Sequence, residues 1–350
     1  MELLRYAIDC GVNYVDTAWP YHREQSERFL GRALKDGYRE RVKLATKLPC
    51  WLVKDPADFD RYLDEQRSRL DTEAIDFYLL HALDADRWRA TRDMGVLDWA
   101  EKARADGRIG HLGFSFHDSY EAFQEIVDAY DGWDFCQIQY NYLDEEYQAG
   151  TRGLEYAADK GLGVIVMEPL RGGLLAGRAG QRVSQGLPQS IQALWNSAPA
   201  RRTPAEWAFQ WLWHKGAVSL ALSGMSTLEQ VAENVASASR SAVGGLTEDE
   251  LALVARVRDE YRRLTPISCT DCKYCQPCPN DVNIPTIFGF YNEAVMFNAI
   301  GYGQYAYQNW IPENQRADRC LECGECEAQC PQHIQIIEWL QKAHARLAGA

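Results

Sequence analysis

The chain predicts an α/β fold, a (β/α)8 TIM barrel followed by a small, mostly α-helical domain, and three observations carry that prediction. Over roughly the first 260 residues, short apolar or β-branched runs alternate with helical patterns, with turn residues at the joins. Several runs, such as Leu79-Leu80 and Val164-Ile165-Val166, are apolar at successive positions, as strands of a parallel sheet covered on both faces require. Eight of the eleven cysteines then crowd into positions 269–330. The division expected is a barrel over residues 1–262 and a cysteine-bearing domain over 263–350.

Seven strands are expected: Asn13–Ala18, Val42–Lys47, Ile75–His81, Ile109–Phe116, Phe135–Tyr140, Gly163–Pro169 and Val218–Ser223. No G-x-G-x-x-G follows an early strand, which favours a barrel over two dinucleotide-binding halves. The chain opens inside what reads as the first helix, Glu2–Cys10 ended by Gly11, so the first strand of an eight-stranded barrel is expected to be missing from this sequence. Thr203-Pro204-Ala205-Glu206 has an N-cap, an N1 proline and an N3 glutamate, and Trp207, Ala208, Trp211 and Leu212 behind it read as a core-facing stripe. Ser226-Thr227-Leu228-Glu229 and Thr247-Glu248-Asp249-Glu250 repeat the capping pattern.

Composition narrows the partners. With 46% hydrophobic residues the 350-residue chain can bury a large core, and a formal charge of −13 lacks the basic footprint that nucleic acid needs. Apolar stretches such as Gly163-Val164-Ile165-Val166-Met167 fall far short of the ~20 residues a bilayer requires, so no membrane span is expected. The opening Met1-Glu2-Leu3-Leu4-Arg5 has no signal-peptide pattern, and a reducing cytoplasm is expected.

The cysteines form two runs: Cys269, Cys272, Cys275 and Cys278, then Cys320, Cys323, Cys326 and Cys330, each closed by a proline, Pro279 or Pro331. This C-x2-C-x2-C-x(2 or 3)-C-P spacing asks for two [4Fe–4S] clusters, because steps of three residues turn thiolates inward around one cubane while the proline redirects the fourth. In two-cluster ferredoxins that fourth cysteine ligates the other cluster. Applied here, Cys269, Cys272, Cys275 and Cys330 would hold one cluster and Cys320, Cys323, Cys326 and Cys278 the second. Structural zinc is the first alternative, although it uses two C-x2-C pairs per ion and has no place for the third and fourth cysteines of each run. Disulfides are the second, and need an oxidising compartment. Cys10, Cys50 and Cys136 stand singly and read as small buried residues.

Barrel chemistry gathers at the C-terminal ends of strands. There the sequence places Asp16 with Tyr21 just beyond, then Lys47, then His81, on three successive strands whose neighbours lie about 5 Å apart. Such a group delivers protons to a carbonyl oxygen: a lysine ammonium beside a phenol stabilises the phenolate, so Tyr21 can give or take a proton. Asp16 would hold Lys47, and His81 would orient the carbonyl. A capping aspartate, a solvated lysine and a core histidine are the plainer readings of each residue alone. Trp19, Trp51 and His117 fall near the same pocket mouth, as aromatic surround or as packing.

Asp16-Thr17-Ala18-x-x-Tyr21, with Lys47 and His81, resembles the catalytic tetrad of the aldo-keto reductases, and the likeness runs along nearly the whole barrel. The resemblance implies NADP(H) or NAD(H), hydride transfer, and a small carbonyl or alcohol substrate. It implies that Ser115 and Gln137 contact the nicotinamide amide, and that Glu168, Leu170, Gly172 and Gly173 belong to the loop over the pyrophosphate. It assigns Gly224, Ser226, Gln230, Glu233 and Asn234 to the adenosine-phosphate end. Gln230 stands where some members place an arginine for the 2′-phosphate, which leaves NADP and NAD both open. The tail resembles the helical ferredoxin module of the succinate dehydrogenase iron–sulfur subunit, with 41 residues between Cys278 and Cys320.

Hydride transfer moves two electrons and a [4Fe–4S] cluster takes one, so either a flavin carrier or a redox partner protein links the two halves, or the substrate itself accepts single electrons, or the clusters are structural or sensing. The competing expectation is an electron-transfer or redox-sensing iron–sulfur protein that uses the barrel as a docking scaffold.

Overall fold

The computed structural model describes residues 1–177, 186–269, 271 and 273–349. They divide into two compact units, one of Met1–Pro169 with Ala208–Leu246, the other of the described residues of Leu170–Trp207 and Thr247–Ala350. The segment after Pro169 and the helix Glu248–Arg263 thus group with the cysteine-bearing tail.

The first unit is a curled, fully parallel sheet in sequence order, β1 (Tyr14–Asp16), β2 (Lys43–Leu48), β3 (Ile75–Leu83), β4 (Ile109–Phe116), β5 (Phe135–Gln139), β6 (Gly163–Met167) and β7 (Leu220–Ala221), an incomplete (β/α)8 barrel. All seven expected strands form, the last trimmed to two residues. Inside, Ala45, Leu79, Phe135 and Ile165 form a core layer with Tyr14, Phe77, Leu220 and Leu222 packed against it. Gly113 is small by necessity, since a Cβ there would come within 2.6 Å of the Phe135 carbonyl oxygen and 2.7 Å of its ring. This layer sets the site above it. Side chains alternate with period two along a strand, so Asp16, Lys47, His81, Ser115, Gln137 and Met167, each two residues beyond Tyr14, Ala45, Leu79, Gly113, Phe135 and Ile165, share the inner face at the strands' C-terminal ends.

The caps follow the sequence with one shift. Thr247 and Glu250 form a reciprocal capping box. At the earlier site the cap is Thr227, not Ser226: its hydroxyl accepts from Gln230 N–H at 3.2 Å, and Gln230 Oε1 accepts from Ser226 N–H at 2.7 Å. The tryptophan stripe is core, with Trp207 stacked on Trp195 at 5.4 Å and Trp211 on Tyr140 at 5.3 Å. Cys50 and Cys136 are buried, while Cys10 is half-exposed at the end of the helix Glu2–Asp9.

In the second unit, helices Ile284–Met296, Ile300–Trp310 and Ile336–Leu347 share a core of Ile284, Ile287, Phe288, Tyr307, Ile336 and Leu340, among others, against which six of the tail cysteines pack. Gly303 lies inside its helix, where a Cβ would meet that of Ala294 at 2.5 Å, so the absent side chain lets two helices approach. Among the described residues no helix is long and apolar enough to cross a membrane.

Candidate active site and thiol-lined cavities

Three of the four strand-end candidates meet on one nitrogen. Lys47 Nζ, fully buried, lies 2.6 Å from Asp16 Oδ1, donates to the Thr17 carbonyl at 2.8 Å, and stands 3.3 Å from the Tyr21 hydroxyl. Its charge also lies 4.7 Å from the Tyr21 ring centroid. Burial pushes the Asp16 carboxyl above its usual range, and the Lys47 ammonium pulls it part of the way back. His81 joins through its ring, 5.9 Å edge-on from Tyr21 and 5.1 Å from Trp51. Burial, then the nearby Lys47 charge, lowers its pKa to about 3, so the imidazole is neutral at ordinary pH. Among the described residues its buried Nδ1 meets no hydrogen-bond partner, and neither does Asp16 Oδ2.

Behind the site lies a buried polar brace that spacing along the chain does not reveal. Glu27 accepts from Thr46 at 2.7 Å and from Gln66 at 2.8 Å, while Gln66 also donates to the Lys47 carbonyl at 2.9 Å. Arg69 pairs with Glu27 at 3.3 Å and covers Trp19 at 3.5 Å. The brace ties β2, which carries Lys47, to the segment that carries Tyr21. That segment needs holding: His22, Arg23 and Glu24 all have left-handed φ, at 51, 55 and 63°. Trp19 therefore packs in the core, against Tyr62 as well, whereas Trp51 is 41% exposed beside His81 and Tyr21 is 37% exposed. His117 is exposed, and partial desolvation by the surrounding protein lowers its pKa.

Ser115 and Gln137 sit side by side in register on β4 and β5. The Ser115 hydroxyl accepts from Ala82 N–H at 2.7 Å, and Gln137 Nε2 reaches Met167 Sδ at 3.6 Å. Among the described residues the buried Gln137 Oε1 meets no hydrogen-bond partner, an acceptor that suits the N–H2 of a carboxamide. Past β6, the Glu168 carbonyl accepts from Asn141 at 3.1 Å. Past β7, Gly224 and Ser226 are exposed, Glu233 is half-buried, and Asn234 donates to Ser223 Oγ at 3.0 Å. Gln230 is committed to its own helix start, as described above. In the second unit, half-buried Leu170 precedes a left-handed turn in which Gly172 and Gly173 have φ of 63 and 94°.

The tail's thiols ring two cavities of the second unit. One, with about 350 Å³ of empty space at its open mouth included, is lined by Cys278, Cys320, Cys323 and Cys326. The other, about 340 Å³, is lined by Cys269, Cys275 and Cys330. Cys272 lies outside the described residues. Each cavity thus draws on both runs. Among the described residues no three His, Cys, Asp or Glu side chains converge on a single point; thiols from both runs around one cavity are a soft donor set that suits an iron–sulfur cluster. Burial pushes the Cys326 thiol up to about 11 and raises that of Cys320, with neighbouring thiols adding to both, so ligation there would have to release the protons.

Comparison with known proteins places these features. The Aldo/keto reductase family matches residues 1–258, and a 4Fe-4S dicluster domain matches residues 268–335. The chain is 29% identical over 202 residues to an uncharacterized oxidoreductase, YrpG, of Bacillus subtilis, covering 51% of this chain and 59% of that protein, less than two thirds of its length. It is 24% identical over 273 residues to L-galactose dehydrogenase of Arabidopsis thaliana, covering 75% and 85%. Among solved structures it is similar to an aldo-keto reductase from Klebsiella pneumoniae in complex with NADPH, with a TM-score of 0.58, 26% identity and coverage of 73% and 84%. It also resembles the holo form of an aldo-keto reductase from Bacillus halodurans, with a TM-score of 0.60 and coverage of 73% and 86%; at 24% identity that likeness speaks for the fold.

Proposed function

The chain belongs to the aldo/keto reductase family, and from that premise we propose that it reduces a small carbonyl compound, or oxidises the matching alcohol, using NADP(H) or NAD(H). The observation that carries this reading is the buried Lys47 ammonium held between Asp16 and the half-exposed Tyr21 hydroxyl. When bound, the nicotinamide supplies a hydride to the carbonyl carbon. Tyr21 gives its proton to the carbonyl oxygen, so hydride and proton together complete the alcohol. Lys47 stabilises the phenolate left behind, and Asp16 with the Thr17 carbonyl keeps the ammonium aimed at it. His81, neutral, can orient the carbonyl without competing for the proton.

Ser115 and Gln137 would hold the carboxamide, Glu168, Leu170, Gly172 and Gly173 the pyrophosphate, and Gly224, Ser226, Gln230, Glu233 and Asn234 the adenosine end. The eight tail cysteines would hold two [4Fe–4S] clusters, Cys269, Cys272, Cys275 and Cys330 one and Cys320, Cys323, Cys326 and Cys278 the other, a division that the lining of the two cavities by the described cysteines supports. The functional boundary would fall near residue 262, between the two family matches. Eight cluster-binding thiols suit a reducing cytoplasm. Because hydride carries two electrons, exchange with the tail would pass through a flavin carrier or a redox partner protein.

The test is an anaerobic full-length preparation titrated with NADPH and NADH and assayed on a panel of small aldehydes and ketones. The unaltered chain should bind a nicotinamide, and Tyr21→Phe should lower kcat by about 10²–10⁴-fold with cluster absorbance intact. Binding of neither nucleotide would leave the scaffold-and-electron-carrier reading in its place.

A further inference from the structure

The loop assigned to the pyrophosphate contains a residue whose side chain is held by the helix Ile284–Met296 of the same unit. Arg171 has a left-handed φ of 49°, ahead of Gly172 and Gly173, also left-handed. Glycine adopts that conformation freely, while a side chain there is strained and persists only where surrounding contacts over-determine it. The contacts are present within the same unit. Arg171 Nη2 donates to Glu293 Oε1 at 2.8 Å, and the guanidinium lies 5.5 Å from the ring centroid of Phe297. Phe297 is itself buried and packed on Tyr261 at 5.1 Å.

Glu293 is on the helix Ile284–Met296, whose first turns line the thiol cavities: Ile284 borders both, and Pro285 and Phe288 border one. Nine residues separate Ile284 from Glu293, about two and a half turns of one rigid rod. We infer that Glu293 is a positioning residue for the nicotinamide: through Arg171 it holds the left-handed turn 171–173 in its binding shape, and so ties cofactor affinity to the helix that supports the cluster cavities. The inference rests on the reading of that turn as part of the cofactor site.

The experiment measures NADPH and NADH affinity of the full-length holoprotein by nicotinamide fluorescence, with kcat, KM and Tm alongside. Glu293→Gln keeps the shape and removes the charge, so it should weaken nucleotide binding on the order of tenfold while kcat at saturation stays within about twofold. Glu293→Asp should recover part of the affinity. Arg171→Gln should match Glu293→Gln, and the double variant should be no weaker than either single one. A fall in Tm with unchanged affinity, or additive losses in the double variant, overturns the positioning role alone. Failure of the unaltered chain to bind either nucleotide overturns the hydride-transfer reading beneath it.

Discussion

The strand-end site and the thiol cavities are built in opposite ways. Asp16, Lys47 and His81 are 31 and 34 positions apart in sequence, yet sheet register places them on one inner face and a buried brace locks them there. Six of the tail cysteines, by contrast, are half-exposed, Cys323 is exposed, and the described thiols line open cavities. The first arrangement is organised before any ligand arrives. The second sets described thiols of both cysteine runs around each cavity, where burial raises the Cys320 and Cys326 thiols and ligation would have to release their protons.

This contrast can be broken most directly at Lys47. Lys47→Met would strand the Asp16 carboxylate in a buried site and should cost about 3–5 kcal/mol of stability near pH 7 by chemical denaturation. The loss should shrink as pH falls, because Asp16 then takes up a proton and ceases to be an unpaired charge. An equal loss at pH 4 and pH 7 would mean that the pair is not what holds the site.

The next effect concerns His81. Its folded pKa of about 3 lies below the ordinary 6.5, so the unfolded chain binds the proton more readily. Stability is therefore unaffected above 6.5 and falls as pH drops from there toward 3, by about 2 kcal/mol between pH 7 and pH 5. His81→Gln, which cannot titrate, should lack that part of the acid loss. Identical pH–stability curves for the two proteins would show that His81 is not buried as a neutral ring.

The smallest effect on carbonyl reduction is expected in the tail. Cys323→Ser should lower bound iron to about half and reduce thermal stability, while carbonyl reduction changes by less than about twofold. A large loss of turnover would show that the barrel's chemistry depends on the tail's clusters, and the contrast between the two sites would fail.

How much of this was legible in the sequence depends on the range over which the information acts. The seven strands were readable because apolar runs bounded by turn residues are local signals, and strand-end logic was enough to single out Asp16, Lys47 and His81. The capping signal was readable too, but off by one at Thr227, where Ser226 and Thr227 offer the same hydroxyl and only backbone geometry chooses. It did not reveal that Gln230, assigned to the cofactor by resemblance, also accepts from Ser226 N–H through its side-chain carbonyl. Trp19 and Trp51 looked alike, and packing separates them, one sealed under Arg69 and the other open beside His81. The Glu27–Gln66–Arg69 brace and the Arg171–Glu293 pair join residues 39 to 122 positions apart, with no periodicity to announce them.

By itself the amino-acid sequence determined the parallel barrel class, the strand-end placement of Asp16, Lys47 and His81 and the two four-cysteine runs, because periodicity and ligand spacing are properties of neighbouring residues. Tertiary structure alone decided what braces Lys47 and that Arg171 is anchored by the helix bordering the thiol cavities. Those outcomes depend on which distant side chains meet in low-dielectric surroundings, where an ion pair or hydrogen bond gains its strength from the burial that folding creates.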